Sequence, residues 1–199
     1  MKTNKKAKKR VPLTPEQLLK REKRAFKTKI RNIFTGAGFK YIPTNDHEMS
    51  IGLRKVEVDS LFIHENIWLL CEDTIKTSEI RDHIRTKNEA FGEINKNLSE
   101  FINKLTELFP EHNEILNKYD VERIKIFGLY ISKNELSLSK TDYELFNNLK
   151  FVEPQTLDYF QWTVKGIKLS ARNEIFRFLD LKAKDIGRIS SSSGNSEIT

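Results

Sequence analysis

Two carboxylates in an apolar setting are the residues of this chain best placed to do chemistry. Within VEVDSLFIHENIWLLCEDTIK, residues 56–76, Asp59 stands in one apolar run and Glu72 near the end of the next. His64, Glu65 and Asn66 between the runs read as a turn, so 56–63 and 67–73 read as the strands of a β-hairpin. Side chains alternate faces along a strand. Asp59 therefore shares a face with Leu61 and Ile63, and Glu72 shares one with Trp68, Leu70 and Thr74. Close pairing of the hairpin brings Asp59 and Glu72 together. Two carboxylates on a mostly apolar sheet are costly unless a positive charge sits between them. A divalent cation is the simplest such partner. Mg2+, or Mn2+ in its place, takes a few carboxylate oxygens plus waters, and such a site can activate water for attack on phosphate. The plainer alternative is a solvated carboxylate at a strand end, with Asp73 and Thr74 belonging to the cap of the helix that follows.

Other reactive residue types offer less. The single cysteine, Cys71, excludes an internal disulfide and a cysteine-based metal cluster. It falls on the face opposite Glu72 and reads as a small buried apolar residue. The four histidines, His47, His64, His83 and His112, are scattered. His64 falls in the hairpin turn and reads as exposed. His83 reads as a surface histidine within reach of the carboxylates. GAGF lacks a preceding strand and a phosphate-binding lysine, so it reads as a helix stop. DYFQW reads as core rather than a base-stacking platform.

Charge points to a second function-bearing region. Residues 1–31 hold thirteen Lys/Arg against Glu16 and Glu22, a net of +11; the whole chain carries +7, so the remainder carries −4. A clustered basic arm attracts nucleic-acid phosphates through counterion release; its bland counterpart is a solubilising tail. The candidate contacts are Lys20, Arg21, Lys23, Arg24, Lys27 and Arg31. No run of about eighteen apolar residues predicts a membrane span, and the N-terminus lacks the apolar stretch of a secretory signal. The expected location is the cytoplasm.

The elements that must position these residues are legible in outline. At 199 residues the chain suits one domain with a proper core. Residues 1–12 read as a disordered basic tail, 13–186 as one folded domain, and the serine-rich 187–199 as a linker or tail. A helix starts at Thr14, with Pro15 first in the helix and Gln17 closing a capping box, and Gly36 and Gly38 end it. Its apolar stripe is Leu18, Ala25, Ile30, Ile33 and Phe34. FKYI is a short strand, and PTNDHEMSIGL is a polar loop or a frayed hairpin. A long helix spans 77–109, with a break expected near Gly92. A strand follows at 121–132, then a helix capped by Thr141, then two helices separated at Gly166. Helix, strand, hairpin, crossover helix, strand and helices predict an α/β sandwich around a mixed sheet.

An aspartate in a strand, a hairpin turn and a glutamate near the end of an apolar strand resemble the PD-(D/E)XK nuclease core. That core, a helix, a three-strand meander, a crossover helix and a fourth strand, matches the order above. More narrowly, RNIFTGAGFKYI, VEVDSLFIHENIWLLCEDT, DHIRTKNEAFGEI and LDYFQWTVKGIKLSARNEIFRFL resemble the nuclease-like N-terminal region of bacterial proteins that carry a C-terminal DGQHR domain. The resemblance implies a restriction-endonuclease-like fold. It implies an Mg2+- or Mn2+-dependent endonuclease acting on DNA, or RNA, in defence against foreign DNA. Asp59 and Glu72 would be the metal ligands, and Glu22 a further acidic group from the first helix. No DGQHR segment is present, so an attached or separate C-terminal domain is expected.

One residue departs from that pattern. The family's Glu-x-Lys is here Glu72-Asp73-Thr74. The lysine stabilises charge at the phosphate or orients the attacking water, and threonine cannot carry that charge. Lys76 is the first stand-in, with Arg81, His83 and Lys87 on the following helix as others. The catalytic set expected is thus Asp59, Glu72 and Lys76, with Glu22, Thr74, His83 and Lys87 as auxiliaries. The alternative is a catalytically inactive module of the same fold that binds nucleic acid or a protein partner.

Overall fold

Continuous burial marks the strand Ile67–Thr74: all eight residues are buried, as expected of a central strand covered on both faces. The computed structural model describes residues 13–45, 47–182 and 185–186. The tail expected over 1–12 and the linker expected over 187–199 lie outside the described residues. In chain order the elements are α1 (Pro15–Gly36), β1 (Lys40–Ile42), β2 (Glu48–Ile51), β3 (Arg54–Glu57), β4 (Ser60–His64), β5 (Ile67–Thr74), α2 (Ile80–Lys96), α3 (Leu98–Leu108), α4 (Asn113–Leu116), β6 (Lys125–Ser132), α5 (Lys140–Leu145), β7 (Leu149–Val152), α6 (Pro154–Ile167) and α7 (Arg172–Phe178).

The main sheet runs β1-β4-β5-β6-β7. β1, β4 and β5 pair antiparallel, and β5, β6 and β7 pair parallel. This is an α/β fold with a mixed five-stranded sheet flanked by helices, the class read from the sequence. The crossover from β5 to β6 passes through α2 and α3, as a parallel neighbour requires. Strand alternation divides the core. Leu61, Ile63, Trp68, Leu70 and Tyr130 join Ile84, Phe91 and Ile94 of α2 and Phe101 and Leu105 of α3. Phe62, Ile67, Leu69, Cys71, Leu129 and Ile131 join Phe26, Ile30 and Phe34 of α1, with Leu157, Phe160, Ile175 and Phe176 of α6 and α7.

α1 starts as its sequence dictates. Gln17 N donates to Thr14 Oγ1 and Thr14 N donates to Gln17 Oε1, with Pro15 in the first turn. Its first buried residue is Phe26. Leu18 is 52% exposed and Ala25 is exposed, so the first three turns stand clear of the core. Leu19, Lys20 and Lys23 of this end line one cleft with Glu72, Asp73 and Thr74 at the C-terminal end of β5.

Several boundaries differ from the sequence reading, each for a local reason. The strand expected over 56–63 is two strands, because Val58 and Asp59 leave the ladder between β3 and β4; β3 pairs with β2 as a separate hairpin. The turn between β4 and β5 is Glu65-Asn66, and His64, expected to be exposed, is half-buried against Phe39 and Phe176. The long helix breaks at Asn97 rather than Gly92. The Asn97 amide donates to Glu93 O and Glu93 Oε1, a side-chain bond that competes with helix continuation. Residues 121–123 form a 3-10 turn before β6. Ser139, not Thr141, caps α5, through a box with Asp142. β7 is an added short strand, and a 3-10 turn at 168–171 joins α6 to α7.

Candidate active site

The last three residues of β5, Glu72, Asp73 and Thr74, are all buried. Alternation sends neighbouring side chains to opposite faces of the strand, so Glu72 turns toward α2 and Asp73 toward α1. Ser60 pairs with Cys71, and continuing that register sets Asp59 opposite Glu72. Asp59 does not lie in the ladder, however, and its carboxylate swings to the α1 side. Its Oδ2 accepts a hydrogen bond from Asp73 N at 2.9 Å, and its Oδ1 lies 2.7 Å from Lys27 Nζ. Lys27 Nζ is also 3.5 Å from Asp73 Oδ2. One ammonium thus serves two carboxylates.

The electrostatics follow from this crowding. Burial pushes the Asp73 carboxyl up, the Asp59 charge adds to it, Lys27 opposes them, and the balance stands at about 7. Asp73 Oδ1 is buried with no hydrogen-bond partner. Burial alone would lower the Lys27 ammonium, but the hydrogen bond and charge of Asp59, then Asp73, raise it overall.

On the other face Lys87 Nζ of α2 lies 2.7 Å from Glu72 Oε2 and donates to Glu57 O at 3.1 Å. The Lys87–Glu72 contact is an ion pair without hydrogen-bond alignment, since Glu72 Oε2 has no directed partner. His83 Nε2 sits 3.4 Å from Glu72 Oε1, and His83 Nδ1 is 2.8 Å from Tyr130 Oη. Burial, then the Glu72 charge, pushes the Tyr130 phenol up, so it stays protonated. Its hydroxyl and His83 Nδ1 share a hydrogen bond whose direction follows the imidazole tautomer, and the other ring nitrogen, Nε2, faces Glu72.

Asp59, Glu72, Asp73, Thr74, Lys76, His83 and Lys87 line one cleft of about 730 Å³. Lys20 and Lys23 of α1 form its rim and also line an adjoining basic groove of about 570 Å³ with Arg24, Lys27 and Arg31. The cleft therefore gathers most of the residues expected from the sequence, with four differences. Lys76, the expected stand-in lysine, lines the cleft, but among the described residues no ion pair joins it to Asp59 or Glu72; its backbone N–H donates to Thr74 Oγ1. Lys87 holds the place beside Glu72. Glu22 is turned away from the cleft, paired with Lys133 beside a different hollow. Lys27, expected as a phosphate contact, is committed to Asp59, and Arg21 lines neither cleft nor groove.

Asp73 and Tyr130 are site residues that the sequence reading passed over. Alternation put Asp73 on the face away from Glu72, and a tyrosine in an apolar strand reads as core. The signal for Asp73 was its place beside Glu72 at the end of a strand too apolar to leave either solvated.

Among the described residues no three His, Cys, Asp or Glu side chains converge as a ready metal cluster. The cleft offers Asp59 and Glu72 with Asp73 behind them and room for water. Glu72 Oε2 and Asp73 Oδ1 have no hydrogen-bond partner, though the Lys87 ammonium stands against the first, and both Asp59 oxygens are engaged, by Lys27 and by Asp73 N. Mg2+ is commonly held by one or two carboxylates and completed by water and substrate phosphate, so a cation here would take the places that Lys27 and Lys87 hold. The chain matches no family model, no curated protein and no solved structure. No helix among the described residues is long and apolar enough to cross a membrane.

Proposed function

We propose that this chain is a metal-dependent nuclease-like domain that hydrolyses phosphodiesters of DNA, with Asp59 and Glu72 as ligands of Mg2+ or Mn2+. The observation that carries the reading is Lys87. Its ammonium lies 2.7 Å from Glu72 across a cleft that also opens to Asp59, supplying the positive charge that Thr74 does not. An ammonium serves by its position in space, whatever its position in sequence.

The bound cation would polarise a phosphate oxygen and lower the pKa of a coordinated water. The residues of the chain then have separate tasks. Glu57 O and Glu72 fix the Lys87 ammonium at the cleft wall, where it stabilises charge developing on the phosphate. Tyr130 holds the His83 ring by Nδ1, which keeps Nε2 against Glu72 and positions that carboxylate. Lys27 keeps Asp59 and Asp73 from repelling one another apart. Lys20 and Lys23 at the rim attract the phosphate backbone.

A second reading, an inactive module of the same fold that binds nucleic acid, draws on the same ion pairs. Lys27 and Lys87 neutralise the carboxylates without a metal. The two readings part in a nicking assay with Mg2+ on supercoiled plasmid and on single-stranded circular DNA. The enzyme reading expects nicking by the wild type, a loss of about 100-fold or more in Lys87→Met, partial retention in Lys87→Arg and little change in Lys76→Met. No nicking by the wild type, or equal activity in Lys87→Met, overturns it.

A further inference from the structure

The basic groove beside the cleft has a form that selects among nucleic acids. Lys20, Lys23, Arg24, Lys27 and Arg31 recur at helical spacing along one face of α1 and line it together. Lys20 to Arg31 spans eleven residues, roughly 16 Å along the helix, about five nucleotides at ~3.4 Å per stacked nucleotide of one strand. Lys20 and Lys23 line both groove and cleft, so the track runs into the Asp59–Glu72 site without a break. Tyr41 of β1 also lines it; the ring packs on Phe62, centroids 5.3 Å apart, and the Arg31 guanidinium lies 5.9 Å from its centre.

We infer that this groove is a track for single-stranded nucleic acid, with an unpaired base resting on the Arg31–Tyr41 stack. This rests on the phosphodiester reading for the strand's destination in the cleft. Two features favour a single strand over a duplex. The cations form one line in a concave groove, which follows one backbone, whereas a duplex presents a convex surface with two. An aromatic ring and a guanidinium plane at the groove wall serve a base whose face is free, and paired bases keep their faces in the stack. Lys27 is held by Asp59 and Arg31 by the base platform, which leaves Lys20, whose exposed pair with Glu16 yields readily, Lys23 and Arg24 for phosphates.

Binding is tested without cleavage, in EDTA, by fluorescence anisotropy of a labelled thymidine 12-mer and of the same strand paired with its complement. The single strand should bind at least tenfold more tightly. Tyr41→Leu should weaken single-strand binding about tenfold and leave duplex binding unchanged, while Tyr41→Phe keeps the stack and the affinity. The logarithmic salt slope for the single strand should be about −2, from three cations at ~0.7 each, and Arg24→Ala should reduce its magnitude by ~0.7. Duplex binding equal to or tighter than single-strand binding, or an unchanged single-strand affinity in Tyr41→Leu, overturns the inference. A protein that holds single strands in this way but nicks nothing with Mg2+ keeps this inference and loses the enzyme reading. One that nicks plasmid without single-strand preference does the reverse.

Discussion

Lys27 is the residue on which the acidic side of the cleft depends. Its ammonium is the nearest counter-charge to Asp59 and Asp73, and all three side chains are largely withdrawn from solvent. Removing one partner of such a group leaves the others as uncompensated buried charge, which costs more than the pair itself contributes. Lys27→Met should therefore destabilise the fold by about 2 kcal/mol, less than a fully buried pair because Lys27 keeps some exposure. Lys29→Met, which breaks a pair with the mostly exposed Asp158, should cost well under ~1 kcal/mol. Urea unfolding of the two variants makes the comparison, and equal losses would remove Lys27 from this role. The opposite ion pair, Lys87–Glu72, has a different purpose in this account: it is carried by a surface helix and presents a charge to the cleft.

At the scale of elements, α2 must approach β6 closely for Lys87 and His83 to reach Glu72. Gly128 allows it: a Cβ there would lie 2.4 Å from Phe91 Cδ2 and 2.6 Å from Asn148 O. Gly128→Ala should destabilise by about 2–3 kcal/mol through forced overpacking, read as a lower urea midpoint; a neutral result would mean that α2 shifts freely. The far end of the sheet carries a pH dependence. Burial, then the Arg172 charge, lowers His64 below the usual histidine value. The folded state therefore binds fewer protons there than the unfolded chain. That stability is present above about pH 6.5 and is lost as pH falls toward the lowered folded value. The drop in urea midpoint between pH 7 and pH 5 should be smaller in His64→Gln, and an unchanged drop would place the acid sensitivity elsewhere.

These elements also show what the sequence could reveal. The capping box at Thr14, the apolar runs of β4 and β5 and the α2–α3 crossover carry local signals, and so did the fold class. Asp59 and Glu72 were legible because a carboxylate stands out in an apolar run. The split at Val58-Asp59 was not, since Val58 continues the apolar pattern while its backbone leaves the ladder. Lys27 meets Asp59 across 32 residues, and Lys87 stands 15 residues from Glu72. Which lysine arrives at a carboxylate is set by helix placement, so spacing favoured the nearby Lys76.

The whole molecule sets a cleft of paired carboxylates and lysines beside a basic helix face. In the proposed reading the described cations of α1 draw a polyanion in, and the carboxylates it meets in the cleft are paired with Lys27 and Lys87. Under the proposed metal-dependent reading, a divalent ion joins the two regions by taking the place of the lysine contacts at Asp59 and Glu72. Calorimetric titration with Mn2+ of the wild type and of Asp59→Ala tests this most directly. The account predicts one saturable site in the wild type, lost in Asp59→Ala while the variant's circular dichroism remains native. Absence of binding in the wild type, or equal binding in a folded Asp59→Ala, would contradict it and leave the basic groove as the functional surface.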